Sequence, residues 1–497
     1  MERLANQLHV GNVAVHGFIV VISPANRKGH AAGLFPERFF GYYSIMSNIE
    51  KQLGGLGIAV LELLLPLEMN PERWATVACD QFTQDRTYWE KAGEIAGNLP
   101  STLRLILPEV YLDDGDRAKR IAEIHANMES YLRGGVFAEP RRGFVYLERD
   151  TPFNKKRRGL VVAVDLERYS WAKDARPMIR PTEGTVAERL PPRMEIRRNA
   201  PLETSHIIML IDDDANTILP SLGERAKKTA PVYAGELMSG SGNVSGWFLD
   251  REDDWAHFVE GLAELSRRAT TRYATGNATP QEEHPFLFAV GDGNHSLASA
   301  WEVWQEYKST FAGGGKTGEL PEHPCRYAIV EIENIYDSAI TFEPIHRVVF
   351  GLDFDRALAL VSALPGFSSR TVSGREELVR LVAESVSGNR FGVVSGGRCT
   401  LVETSAGGIS TASLQPLLDQ AVNAAGDLSI DYIHGEDELF RVALAPEKLA
   451  TGVLLPPVQK AGFFETIAKS GPLPRKSFSM GEACEKRFYI ECRKLFG

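Results

Sequence analysis

The chain is 497 residues long, 43% apolar and 24% charged, enough for about three domains of roughly 150 residues each. Its 55 Lys and Arg against 65 Asp and Glu leave a net charge of −10, which excludes bulk electrostatic attraction to nucleic acid or anionic lipid. The five cysteines are scattered without a C-x-x-C pair; neither a disulfide framework nor a cysteine-rich zinc site is expected, and the chain reads as cytoplasmic.

The apolar run Phe18 to Ile22 is far shorter than the roughly 18 residues of a membrane span and has no small-residue cleavage pattern after it, so no membrane segment is expected. Residues 1–45 lack a sustained period and hold a Gly/His/Arg-rich stretch from Arg27 to Gly33. They are expected to be a non-native or disordered extension, with Met46 as the initiator. From Ile58 an apolar run leads to a short buried strand at Ala75 to Ala78, with Cys79-Asp80-Gln81 at its end. The spacing then predicts a helix over Arg86 to Ala96, a strand over Leu103 to Leu107 stopped by Pro108, and a helix over Arg117 to Leu132 closed by Gly134-Gly135. Strands follow at Gly143 to Glu148 and Gly159 to Leu166, and Pro191-Pro192 opens a helix on which Arg193 and Arg197 share a face.

Phe286 to Val290 reads as a buried strand and Gly291-Asp292-Gly293-Asn294 as a tight turn. Leu297, Ala300, Trp301, Trp304 and Tyr307 then mark a helix. A Gly-rich loop at 312–318, strands at Tyr327 to Ile332 and Ile340 to Val349, and helices around Phe354 to Ser362 and Glu376 to Ser387 complete the pattern. The fold class is mixed α/β. Beyond the extension 1–45, the expected parts are an N-terminal α/β region 46–165, a central catalytic region 166–350, a small α/β module 351–428 and a C-terminal region 429–497 that packs back on the core.

Chemistry concentrates at FAVGDGNHSLASA, residues 288–300. A glycine-bracketed turn between strand and helix aims backbone amides and the positive helix end at one point, a suitable place for phosphate. There Asp292 can hold Mg²⁺, the backbone of Gly291, Gly293 and Ser296 and the Asn294 amide can meet phosphate oxygens, and His295 can contact phosphate or shuttle a proton. Equally, the motif is a tight turn with positive φ at glycine and a polar helix cap. In RPTEGTVAERLPPR, Glu183 is a candidate general base and Arg189, Arg193 and Arg197 candidate phosphate ligands. A solvated basic face balanced by Glu188, Glu195 and Glu203 accounts for the same arginines. His346 and Arg347 interrupt an apolar β run, where alternation turns one of the two inward. Asp431, His434 and Glu436 in DYIHGED and Arg475-Lys476-Ser477 are weaker candidates.

Two phosphate-loop mimics fail. Gly313-Gly314-Gly315-Lys316-Thr317 has Thr310 where the Walker spacing needs glycine, and Gly240 to Gly246 misses the dinucleotide fingerprint by one residue and reads as a hairpin loop.

The segments VACDQFTQDRTYWE, PSTLRLILPE, RPTEGTVAERLPPR, AVGDGNHSLASA, FEPIHRVVF, DYIHGED and LPRKSFSMGEACEKRF, in this order, resemble the bacterial domain-of-unknown-function 1015 family from about residue 57 to the C-terminus. The sequence matches its branch with VGDGNHSLA where others carry DGHHR. That element is in turn similar to the signature of the ParB/sulfiredoxin-like fold, whose members bind nucleotides and include kinases of free serine. The resemblance implies a ParB-like nucleotide-binding centre flanked by α/β segments, with Asp292, Gly293 and His295 on the matching positions and Glu183 as the acidic base. Asn294 and Ser296 replace the first His and the Arg of the element, so one cationic ligand is missing, and Arg189, Arg197 or Arg347 is expected to supply it.

The expected activity is phosphoryl transfer from ATP or ADP, with Mg²⁺, to a small hydroxylated metabolite such as free serine, or the reverse from phosphoserine. Asp292 would bind the metal, Glu183 would handle the hydroxyl proton, and Arg189, Arg197, His346 and Arg347 would complete the pocket. A nucleotide- or metabolite-binding regulator without turnover and a phosphomonoester hydrolase are the alternatives. The expected partners are a nucleotide and a small substrate, with no nucleic acid and no membrane; the sequence leaves the oligomeric state open.

Overall fold

Strands buried on both faces read as near-continuous apolar runs, and two of them form the centre of the main sheet. Phe144 to Leu147 and Leu160 to Val164 are almost wholly buried. They belong to the antiparallel strands Arg141–Asp150 and Arg157–Asp165, paired with Val145 opposite Val161. The computed structural model describes residues 47–496 except 154–155, 275–283, 315–322, 386–388, 407 and 446–448. The expectations for 1–45, for Phe18 to Ile22 and for Lys316-Thr317 lie outside the described residues.

Ten strands make the main sheet. Its path runs Ile179–Pro181, Phe288–Asp292, Ile208–Ile211, Tyr327–Asn334, Arg157–Asp165, Arg141–Asp150, Asn243–Leu249 and Tyr233–Glu236; the short strands Ile58–Ala59 and Leu61–Leu63 add to the two central ones. A seven-stranded second sheet is ordered Ser368–Thr371, Arg398–Glu403, Arg390–Ser395, Ala450–Leu454, Phe342–Phe350 and Ser429–His434, with Phe478–Met480 added to the near end of Phe342–Phe350. Helices cover this sheet on both sides. Arg375–Ala383 and Glu436–Ala443 pack with Val348 on one face, while Phe354–Val361 and Ser410–Ala424 pack with Val349 on the other, as strand alternation requires. Among the described residues no helix is long and apolar enough to cross a membrane.

The helices Arg86–Ala96 and Arg117–Arg133 form where periodicity places them. Leu103 to Leu107 is not a strand: Thr102–Arg104 is a 3₁₀ turn, the Ser101 side chain accepts from Leu103 N, and Thr102 Oγ1 donates to Trp74 O at 2.8 Å. Leu105, Ile106 and Leu107 are buried without ladder partners, so apolarity there reflects burial rather than sheet. The strand expected from Phe286 starts at Phe288, where pairing with Ile179 begins, and the helix after it runs through Gly314, into the stretch expected to be loop. Gly240 lies in the connection between the paired strands Tyr233–Glu236 and Asn243–Leu249, a hairpin.

The sheets do not respect the boundaries expected at 165 and 350. The main sheet takes strands from both sides of 165, and Phe342–Phe350 belongs to the second sheet. The C-terminal segment forms two further two-stranded sheets: Phe488–Tyr489 with Thr76–Val77, and Cys492–Lys494 with Leu202–Thr204. Buried ion pairs fix it. Arg487 donates to Glu331 at 2.6 Å, to Glu491 at 2.8 Å and to the Ser205 carbonyl at 3.0 Å, and Glu491 also accepts from Tyr233 at 2.6 Å. Arg493 meets Glu203, which binds Arg197 at 2.5 Å as well. Removing one partner of such a pair strands the other charge. Arg487→Met is therefore expected to lower unfolding stability by about 3–5 kcal/mol, read from the urea midpoint; an unchanged midpoint would contradict this account of the network.

Candidate functional site

Ile179–Pro181 and Phe288–Asp292 run parallel, with Pro181 opposite Val290, so both chains leave the sheet at the same end. Thr182 and Glu183 follow one strand, Gly293 and the helix Asn294–Gly314 the other. The two exits are tied. Thr182 Oγ1 donates to Val290 O at 2.6 Å, and Asn294 Oδ1 accepts from Thr182 N at 3.3 Å. Gly293 has a φ of 77°, and a Cβ there would lie 3.1 Å from Ile207 and 3.5 Å from His206 Nε2. Glycine is needed for the backbone conformation and for the close approach alike. At Gly291 a Cβ would meet Met480 Sδ at 2.6 Å.

Around Asp292 stand side chains from distant parts of the chain. Lys486 Nζ lies 3.7 Å from Asp292 Oδ2, which has no hydrogen-bond partner among the described residues. Burial pushes the Asp292 carboxyl up; Lys486 opposes this and the charge of Asp80 adds to it, with a net upward shift. Asp80 moves the other way. Burial would raise it too, but His206, the Gln81 amide, Lys486 and Arg193 outweigh that and hold it below the usual range. His206 Nε2 is 3.3 Å from Ser296 Oγ and 3.8 Å from Asp80 Oδ2, and its Nδ1 is 2.6 Å from Tyr489 Oη. Arg193 pairs with Glu109. Arg193, His206, Ser296 and Tyr489 line one hollow of about 120 Å³.

Glu183 faces the C-terminal loop. Its Oε1 accepts from Ser477 N at 3.0 Å, beside Lys476 with its left-handed φ of 56°. Burial nevertheless pushes its carboxyl up to about 7, against the backbone amides of Lys476, Ser477 and Phe478 and the charge of Arg347. Ser477 also lines a cavity of about 430 Å³ with Thr411, Leu455, Pro456 and Thr466. Arg347 is fully buried, donates to Gln415 Oε1 at 2.9 Å and to Lys476 O at 3.0 Å, and is pushed down to about 10 by burial.

Of the candidates, Gly291, Asp292, Gly293, Asn294, His295, Ser296 and Glu183 share one end of the main sheet, and Arg347 backs the loop that holds Glu183. Several other candidates are occupied elsewhere. His295 Nε2 accepts from Val186 N at 3.2 Å, and burial with the charges of Arg193 and Arg189 pushes it to about 4. It is neutral at physiological pH and pins the 182–186 loop to the helix. Arg189 is exposed, and Arg197 is consumed by Glu203 and the Tyr327 carbonyl. The expectation that one of His346 and Arg347 turns inward gives way to burial of both, because helices cover both faces of their strand. His346 Nδ1 accepts from Leu455 N at 3.1 Å, and its pKa falls to about 4 through burial and the charges of Arg347 and His434. Glu436 pairs with Arg375 and Asp431 accepts from Tyr432 N, while His434 lies within charge reach of Lys476 and Lys486.

Asp80, His206 and Lys486 escaped the sequence reading as site residues. Asp80 had a signal, a carboxylate at the end of a buried strand. His206, between Thr-Ser and an apolar run, and Lys486, among ordinary charges, had none. Among the described residues no group of three His, Cys, Asp or Glu side chains is placed to hold a metal ion; Asp80 and Asp292 are a pair.

No curated protein matches the chain. Solved structures similar to it include a conserved hypothetical protein from Pyrococcus furiosus at 11% identity and a TM-score of 0.33, covering 67% of this chain and 95% of that one. A free serine kinase in complex with AMP is similar at 10% identity and a TM-score of 0.35, covering 67% and 92%. SbnI with C-terminal truncation from Staphylococcus aureus is similar at 10% identity and 0.30, covering 66% and 82%. The profile of the family described as protein of unknown function (DUF1015) matches residues 65–421, most of the chain, which therefore belongs to that family.

Proposed function

We propose that the protein is a phosphotransferase that moves a phosphoryl group between ATP or ADP and a small hydroxylated metabolite, with free serine and phosphoserine the leading pair. The observation that carries this reading is the pairing, at one sheet end, of a carboxyl poised near neutrality with a glycine turn that opens a long helix. First-turn amides and the helix dipole favour phosphate oxygens. Glu183, raised to about 7, is ionised in a large share of molecules at neutral pH and is still basic enough to take a proton. The acceptor hydroxyl gives its proton to Glu183 as its oxygen bonds to phosphorus, and the bond from phosphorus to the departing phosphate oxygen breaks.

Mg²⁺ fits the residues present. It is usually held by one or two carboxylates together with substrate phosphates, and the buried, unpartnered Asp292 Oδ2 beside Asp80 offers such a pair. Bound there, the ion would neutralise charge on the phosphate oxygens. Asn294 and Thr182 fix the turn against the neighbouring strand, and His295 fixes the loop that carries Glu183.

With Glu183 as base, the rate should rise with pH through about 7, and Glu183→Gln should lower kcat by about a hundredfold or more while nucleotide affinity, measured by calorimetry, stays. Stability should show the opposite trend. The folded carboxyl keeps its proton up to about 7 whereas the unfolded one loses it near 4.5, so the folded state binds more protons between these values and stability falls as pH rises through them. Urea midpoints of Glu183→Gln should lack that decline.

Phosphorus NMR of the protein with Mg²⁺, following serine plus ATP or ADP and phosphoserine with and without nucleotide, tests the reaction itself. Nucleotide-dependent interconversion that disappears in Asp292→Ala is expected. Free phosphate from phosphoserine alone would instead make the protein a hydrolase, and silence in all mixtures would make it a binding protein.

A further inference from the structure

We propose that Lys486 is the phosphate-binding cation of the site, supplied by the C-terminal segment beside Asp292. The inference rests on the phosphotransferase reading above and names the group that neutralises the transferred charge.

Arg189 is exposed, and three other candidate arginines are already engaged. Arg197 is held by Glu203 and the Tyr327 carbonyl, Arg193 by Glu109, and Arg347 by Gln415 and two carbonyls beneath the Glu183 loop. Ser296 itself is spent on His206. Lys486 is different. It is buried, within the electrostatic reach of both Asp292 and Asp80, yet it lies 3.7 Å from Asp292 Oδ2, beyond hydrogen-bonding distance. Its hydrogen bond is to Ser479 Oγ at 3.3 Å. An ammonium has three donors, and burying one with so little compensation is costly. The facing carboxylate oxygen has no hydrogen-bond partner among the described residues. A buried ammonium and a buried carboxylate oxygen held just apart, both short of partners, keep bonding capacity for a phosphate oxygen at the nitrogen and a divalent cation at the carboxylate.

The backbone around Lys486 is clamped, so the ammonium is presented rather than free to search. Arg149 donates to the carbonyls of Cys484, Glu485 and Lys486. The next residue, Arg487, is locked on Glu331 and Glu491, and Phe488–Tyr489 pairs with Thr76–Val77, three residues ahead of Asp80. Arg487 and Lys486 thus have separate tasks: one anchors the segment, and the other enters the site.

Calorimetric titration of the full chain with MgADP tests this. Lys486→Met and Lys486→Gln should each weaken binding by about tenfold to a hundredfold, the effect of losing one charge-assisted hydrogen bond, with urea midpoints close to that of the unaltered protein. Labelling the unaltered protein with pyridoxal phosphate and borohydride removes any dependence on how the variants fold. Lys486 should be modified and MgADP should protect it. Undiminished MgADP binding in both variants, or an unmodified Lys486 in protein that binds MgADP, would overturn the assignment and leave the site reading intact. Failure of the unaltered protein to bind either MgADP or MgATP would overturn both.

Discussion

Arg487 holds two buried carboxylates at once, Glu331 on the main sheet and Glu491 four residues along its own segment, and the C-terminal chain can lie inside the molecule because of it. Two charges taken from water cost several kcal/mol each, about as much as their attraction returns. Such a network depends on further hydrogen bonds, here from Tyr233 to Glu491 and from Arg487 to the Ser205 carbonyl, and it is flanked by the pair of Arg493 with Glu203. Its yield is register rather than net stability. With Arg487 and Arg493 in place, Phe488–Tyr489 and Cys492–Lys494 have one possible alignment each.

The site inherits that alignment. Lys486 reaches Asp292, Tyr489 meets His206, and the loop at Lys476 to Phe478 receives Glu183, so three groups from a segment about 300 residues downstream of Glu183 complete a corner started by two short parallel strands. Parallel strands place both exits at one sheet end, the usual place for ligands in α/β proteins. What makes this end chemically distinctive is divergence between carboxyls. Burial dominates at Glu183 and Asp292 and raises both, whereas charged neighbours win at Asp80 and lower it. Groups driven apart in this way can divide proton handling from charge binding.

The second sheet acts through Phe342–Phe350. Its alternation sends His346 to one covered face and Arg347 to the other. His346 becomes a neutral acceptor for Leu455 N, and Arg347 a brace for the loop behind Glu183. Neither group is solvated: His346 is spent on backbone, and Arg347 on backbone carbonyls and the Gln415 side chain.

Local signals determined much of this in the sequence. Helical spacing fixed Arg86–Ala96 and Arg117–Arg133 because a 3.6-residue period needs no distant partner, and the Gly291 to Asn294 turn was legible because a positive φ at Gly293 leaves a glycine behind. Leu103 to Leu107 misled because apolarity marks burial without saying whether a ladder partner exists. Domain limits at 165 and 350 misled for a related reason: strands choose neighbours by register across hundreds of residues, and no window of sequence holds both partners. The family resemblance pointed to Asp292 and His295, but which side chains face Asp292 was decided by the return of the C-terminal segment. Asp80, His206 and Lys486 are ordinary residues in their own surroundings, and only the tertiary structure brings their charges together.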